Sequence, residues 1–84
     1  PIRAPRPDFP QIAAIRGISG ACDVRFDINP RGEPYNISAE CTDRVFEREA
    51  VRATRQALFA APVRNGTPIG QKNLVYPIVF QLNE

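Results

Sequence analysis

Two runs of alternating residues, each bounded by a cysteine, constrain this chain more than any other feature. Cys22, Val24, Phe26 and Ile28 alternate with Asp23, Arg25 and Asp27. Tyr35, Ile37, Ala39 and Cys41 alternate with Asn36, Ser38 and Glu40. A period of two puts every second side chain on one face, so both runs read as half-buried strands. Between them lies Asn29-Pro30-Arg31-Gly32-Glu33-Pro34, a turn in which Pro presets φ and Gly is free to take φ > 0. Residues 20–42 are therefore predicted to form a β-hairpin.

If residues pair when their numbers sum to 63, then 28 meets 35, 26 meets 37, 24 meets 39 and 22 meets 41. Every inward residue then faces an inward residue. A slip of one position would send one arm's apolar set into water, so the pattern fixes the register. The turn pulls the other way. A type I turn on Pro30-Arg31 with Gly32 left-handed favours a three-residue loop and a sum of 62. The hydrophobic pattern is given precedence, with a four-residue loop or a bulge to reconcile the two.

This register sets Cys22 against Cys41. Residues opposed in antiparallel strands have Cα atoms about 4.5–5.5 Å apart, inside the window a disulfide needs. A redox CxxC is excluded, because eighteen residues separate the pair. A zinc site is excluded too, because two further ligands are missing and the chain has no His. Two readings remain, a disulfide or two buried reduced thiols, and the opposed placement favours the disulfide. Closing a loop of this length stabilises by roughly 3 kcal/mol on the chain-entropy model, and the bond implies an oxidising compartment.

Around the hairpin the chain divides cleanly. Residues 1–10 hold four of the nine prolines, which keeps the backbone extended and marks a lead-in or linker end. Residues 10–16 suit a short helix with Pro10 at its first position, Ile12, Ala13 and Ile15 inward, and Gly17 and Gly20 ending it. Thr42 and Asp43 are N-cap types before a helical stretch from Arg44 to about Phe59. Its stripe of Phe46, Ala50, Ala53 and Ala57, joined by Val45 and Leu58, is narrow and small enough to lie close on a sheet. Pro62 stops it, and Asn65-Gly66 signals a turn. Leu74, Tyr76, Ile78, Phe80 and Leu82 then alternate as a third strand, with Pro77 placing it at an edge or a bulge.

Eighty-four residues make one domain, 1–84. A chain this short buries only about 60–65% of its unfolded surface, so its core is small. With 43% apolar and 24% charged residues it is a folding sequence. Its net charge of +2 lacks the clustered basic stripe of a nucleic-acid binder. No apolar run approaches the roughly 18–20 residues that span a bilayer, and no signal-peptide pattern is present. The chain opens at Pro1 and is read as a processed or excised fragment. Without His no base stands ready to activate a nucleophile, and no cofactor motif occurs, so no active site and no cofactor are expected. Arg44, Arg48, Arg52 and Arg55 line one side of the helix, but Glu47 and Glu49 interrupt them, which favours a solvated face. Asn36-Ile37-Ser38 and Asn65-Gly66-Thr67 match the glycosylation sequon, a short pattern that matters only in a eukaryotic secretory protein. The expected sheet leaves a strand edge open, and open edges capture extended peptides.

The order of these parts resembles the C-terminal domain of TonB, the energy transducer for outer-membrane transport in Gram-negative bacteria. The family's opening Pro-x-aromatic-Pro-x-x-Ala stands here as Pro7-Asp8-Phe9-Pro10-Gln11-Ile12-Ala13. Its first strand is Gly20-Ala21-Cys22-Asp23-Val24-Arg25-Phe26-Asp27-Ile28. Pro30-Arg31-Gly32, Asn36-Ile37, Phe46-Glu47-Arg48-Glu49-Ala50, Asn65-Gly66-x-Pro68 and Pro77-Ile78-x-Phe80-x-Leu82 follow in order. Each motif alone is weak; together they are specific and span nearly the whole chain.

The resemblance implies an α+β fold of order ββαβ, with a short N-terminal helix and a three-stranded antiparallel sheet packed on one long helix. It implies a periplasmic domain that binds the box peptide of TonB-dependent outer-membrane receptors by strand addition and transmits inner-membrane motor energy for siderophore or nutrient uptake. The pairing strand carried over is Leu74, Val75, Tyr76, Pro77, Ile78, Val79, Phe80, Gln81 and Leu82. Contact with the receptor plug falls to Arg6, Pro7, Phe9 and Pro10. The motor proteins would be reached through an N-terminal membrane helix and a Pro-rich spanner, and a homodimer could form by strand exchange. The departures are Arg6 where many relatives have Gln, no Trp late in the helix, and two cysteines found in only some branches. They leave a second reading, a TonB-like structural or sensory domain of another envelope protein.

Overall fold

The computed structural model describes residues 1–82. In chain order it has α1 (Gln11–Arg16), β1 (Gly20–Ile28), β2 (Pro34–Cys41), a 3₁₀ turn (Arg44–Phe46), α2 (Glu47–Arg55), β3 (Val63–Arg64), β4 (Thr67–Pro68) and β5 (Gln71–Phe80). β2, β1 and β5 form an antiparallel sheet in that order, with β1 central. The class is α+β with a three-stranded sheet, as expected. Beside it Asn65 and Gly66, at φ 51° and 77°, turn a small β3–β4 hairpin of the type that needs φ > 0 at both central residues.

Both hairpin registers are present. Cys22↔Cys41, Asp23↔Glu40, Val24↔Ala39 and Arg25↔Ser38 follow the sum of 63, while Asp27↔Tyr35 and Ile28↔Pro34 follow 62. A bulge joins the two halves. β2 sets Asn36 and Ile37 against Phe26 alone, and Asn36 takes φ 54°, a region Asn enters more readily than other non-Gly residues. At the tip the backbone N–H of Gly32 donates to the Asn29 carbonyl at 2.8 Å, and Gly32 sits at φ 82°. Asn29 Oδ1 accepts from the N–H groups of Arg31 and Glu33, both at 2.9 Å. The bulge overturns one expectation. Tyr35 pairs with Asp27, not Ile28, and its side chain is exposed.

The third strand starts at Gln71 and stops at Phe80, where an extent of 74–82 was expected. Its first residues are polar and break the alternation through a second bulge, with Lys72 and Asn73 set against Asp27 and Asn73 at φ 61°. At the far end β1 begins at Gly20, opposite Phe80, so no ladder partner remains for later residues. Gln81 and Leu82 lie outside the strand, and the Leu82 N–H donates to Ser19 Oγ at 3.0 Å.

The long helix is also shorter than its pattern. Asp43 caps it by accepting from the Val45 N–H at 3.0 Å, and the first turn is 3₁₀. Phe46, Ala50, Ala53 and Ala57 are all buried, as the stripe requires. However, α2 ends at Arg55 because the following backbone bonds elsewhere. Leu58 exchanges hydrogen bonds with Arg3, and the Phe59 N–H donates to the Gly32 carbonyl at 3.0 Å. Leaving the helix lets Phe59 set its ring 4.7 Å from Phe26 and 5.8 Å from Tyr76. In α1 only Ala13 is buried, whereas Ile12 and Ile15 are exposed. Pro10 precedes the first helical residue rather than occupying it.

α2 covers one face of the sheet, mainly over β2. Between them lie Val24, Phe26, Ile28, Phe46, Ile78 and Phe80, with the Phe46 and Phe80 rings stacked at 4.7 Å. Buried side chains of this size each stabilise by about 1.5–3 kcal/mol through transfer from water.

Candidate functional site: an open strand edge

β5 is bonded along one edge only. β1 occupies that edge, and no strand pairs with the other among the described residues. The free edge therefore presents unpaired main-chain donors and acceptors over most of ten residues. Its side chains split by face. Leu74, Tyr76, Ile78 and Phe80 turn toward the core and are half-buried or buried; Val75, Pro77 and Val79 stand exposed on the outer face. Pro77, opposite Asp23, removes one donor from the middle of the strand, a residue tolerated at edges.

The N-terminal segment is docked on the domain rather than trailing from it. The N–H groups of Ile2 and Arg3 donate to the Leu58 carbonyl at 2.9 and 3.0 Å, and the Leu58 N–H returns a bond to Arg3. Arg3 Nε also donates to the Gln56 carbonyl at 3.0 Å. Further along, the Asp8 N–H donates to Glu49 Oε2 at 2.6 Å. Arg6 is exposed, and its carbonyl accepts from Arg52 Nη2 at 3.4 Å. Pro7 and Pro10 are half-buried. Phe9 rests its ring edge-on against Phe46 at 6.0 Å and Phe80 at 6.4 Å. That contact brings the two sequence-predicted sets together, since Phe9 comes from the lead-in and Phe80 from the end of β5. Phe9 thereby also belongs to the core.

A junction that the alternation alone does not reveal holds β5 in place. Asp27 is buried, and its carboxylate accepts from the Asn73 N–H at 3.0 Å and from Asn36 Nδ2 at 3.3 Å. One side chain of the central strand thus ties both bulges. These bonds, the Asn73 backbone first and the Asn36 amide second, hold its pKa below the ordinary value. No break in the pattern marks this junction, since Asn36 sits at a regular outward position of its run and Asn73 lies just before the third run begins. On α2, Arg52 Nε donates to Glu49 at 2.8 Å and holds the Glu49 carboxyl low.

The two cysteines join the central strand β1 to the other edge strand, β2. Cys22 and Cys41 form a disulfide, with Cα atoms 4.0 Å apart. Among the described residues no group of three or more His, Cys, Asp or Glu side chains is placed to hold a metal ion. Nor is any helix there long and apolar enough to cross a membrane.

The family described as the Gram-negative bacterial TonB protein C-terminal matches residues 5–82. No curated protein matches the chain significantly. A solved structure from the molecular characterisation of the TonB2 protein of Vibrio anguillarum superposes with a TM-score of 0.67 at 27% identity. The match covers 94% of this chain and 76% of that one. Domains of this family are periplasmic, belong to non-enzymatic energy transducers and engage outer-membrane receptors in general. With the family match running over residues 5–82 and the overall fold shared with that solved structure, the chain belongs to the family of TonB C-terminal domains.

Proposed function

We propose that this domain is the receptor-binding end of a TonB-type energy transducer. The box peptide of a TonB-dependent receptor adds as a fourth strand along the free edge of β5. Main-chain hydrogen bonds supply the grip and the alternating exposed side chains the selectivity. Arg6, Pro7 and Pro10 contact the plug, while Phe9 anchors that segment beside Phe80. An upstream membrane helix and Pro-rich spanner link the domain to a proton-driven inner-membrane motor, and no covalent chemistry takes place here. The observation that carries this reading is the unpaired edge of Gln71–Phe80. The same edge offers itself to a second copy, so a strand-exchanged dimer competes with the peptide for it.

Titration with receptor box peptides, followed by NMR, tests the proposal. Shifts concentrated on residues 71–80 and on the N-terminal segment are expected. No shift at millimolar peptide would sink it.

A further inference from the structure

The sheet has a second open edge, and it carries chemistry that strand addition at β5 does not use. β2 lies across β1 from β5, about 10 Å from it at ordinary strand spacing. Between β2 and α2 runs an open groove of about 850 Å³. Ala39, Val45 and Val51 give it an apolar floor, and Arg44, Arg48, Arg52 and Arg55 line it. The four arginines recur at intervals of four, four and three residues, Arg44 on the 3₁₀ turn and Arg48, Arg52 and Arg55 on α2. Arg52 is committed to Glu49 and Asp8. Arg44, Arg48 and Arg55 are exposed and make no ion pair or side-chain hydrogen bond among the described residues. Against them stands Glu47, the one lining carboxylate outside the Arg52 pair.

We propose that this groove docks an extended acidic peptide segment with carboxylates at alternate positions. Two features favour a peptide over an anionic membrane or glycan. The floor is apolar, and Ala39 belongs to β2, whose outer edge is unpaired among the described residues and offers main-chain groups beside the groove to an extended partner. The spacing also fits. Alternate side chains of a strand are about 6.6 Å apart, close to the roughly 6–7.5 Å rise between residues four apart where a 3₁₀ turn runs into an α-helix. Consecutive carboxylates can therefore face Arg44 and Arg48 in turn, each accepting a forked guanidinium contact. Because β1 separates the two edges, this site and the β5 edge are free to be occupied together.

The probe is the synthetic peptide acetyl-Glu-Val-Glu-Val-Glu-amide, titrated into the 84-residue chain by NMR. Shifts are expected at Ala39, Val45, Val51 and the Arg44, Arg48 and Arg55 side chains, with β5 unmoved. Raising salt from 0.05 to 0.3 M should weaken binding several-fold, since the Debye length falls from roughly 14 to 6 Å. The triple variant Arg44→Gln, Arg48→Gln, Arg55→Gln should weaken it at least about tenfold. Its thermal midpoint should stay near that of the parent, because these side chains are exposed and make no ion pair or side-chain hydrogen bond among the described residues. Absence of shifts at millimolar peptide would overturn the proposal. So would equal binding of the Gln-Val-Gln-Val-Gln peptide, or binding to phosphatidylglycerol vesicles with the peptide ignored. A box peptide that still shifts residues 71–80 in the triple variant separates this outcome from the fate of the β5 proposal.

Discussion

The two margins of the sheet are built on opposite plans. At one, β2 is tied to β1 covalently through Cys22 and Cys41, closed by a tight turn and covered by α2. At the other, β5 is ten residues long and has no covalent tie. It is held by its ladder to β1, by the Asp27–Asn73 bond and by Ile78 and Phe80 in the core. A strand that must accept a partner has to keep its outer main-chain groups free. Stability for the sheet must then come from elsewhere, and the stapled hairpin supplies it. Pro77 and the charge of Lys72 fit the devices by which exposed edges resist indiscriminate pairing.

The sharpest way to break this comparison is to hollow the core under the free strand. Phe80→Ala removes the ring stacked on Phe46 and should cost roughly 3–5 kcal/mol, measured by denaturant unfolding. A cost below 1 kcal/mol would show that β5 is not anchored by its buried end. Next comes the staple. Cys22→Ser with Cys41→Ser, or reduction, should cost about 3 kcal/mol. It should also raise amide exchange in β2 toward the rate in β5, whereas in the oxidised protein β5 is expected to exchange faster.

Smaller effects probe the two bulges. Asn36→Ala should destabilise by about 1–2 kcal/mol, because Ala pays the left-handed penalty that Asn tolerates and also loses the bond to Asp27, while Asn36→Gly, which loses the bond alone, should cost less. Acid should act through Asp27, whose pKa is depressed in the folded state. Its stabilising contribution is present above the ordinary carboxylate pKa near 4 and is lost as pH falls through the lower folded value. Thermal midpoints should therefore drop below about pH 4, and Asp27→Asn should flatten that decline. The smallest change in stability is expected for Val79→Thr on the exposed outer face, within about 0.5 kcal/mol. Box-peptide affinity should nevertheless fall, and an unchanged affinity would move the peptide's contacts off that face.

Much of this was legible in the sequence, and the losses share a cause. Pro77 pointed to an edge or a bulge for β5. Alternation placed Cys22 opposite Cys41, because burial on one face leaves a period of two. It misplaced Tyr35 and missed Gln71 to Asn73, because a bulge breaks the period where a left-handed Asn enters, and periodicity carries no sign of φ. The helix was read to Phe59 because its apolar stripe continues through Ala57. Its true end is decided by Arg3 and Gly32, which are distant in sequence and claim the backbone of Leu58 and Phe59. The N-terminal prolines predicted extended chain correctly, yet nothing local foretold that Arg3 would bond to Leu58. At the candidate site the strand was readable and its latch at Asp27 was not, since that latch is assembled from three strands.

The Arg3–Leu58 bridge has a mechanical meaning. A pull on the N-terminus meets that bridge and the Arg52 contacts first, and only afterwards Phe9 in the aromatic cluster. The first eight residues would peel away bond by bond, as a seam unpicks, releasing a leash of up to about 28 Å. Until that slack is spent, the load stops short of the sheet. On the proposed function, the docked segment would act as a shock absorber in series with the domain, softening each tug before it reaches the sheet.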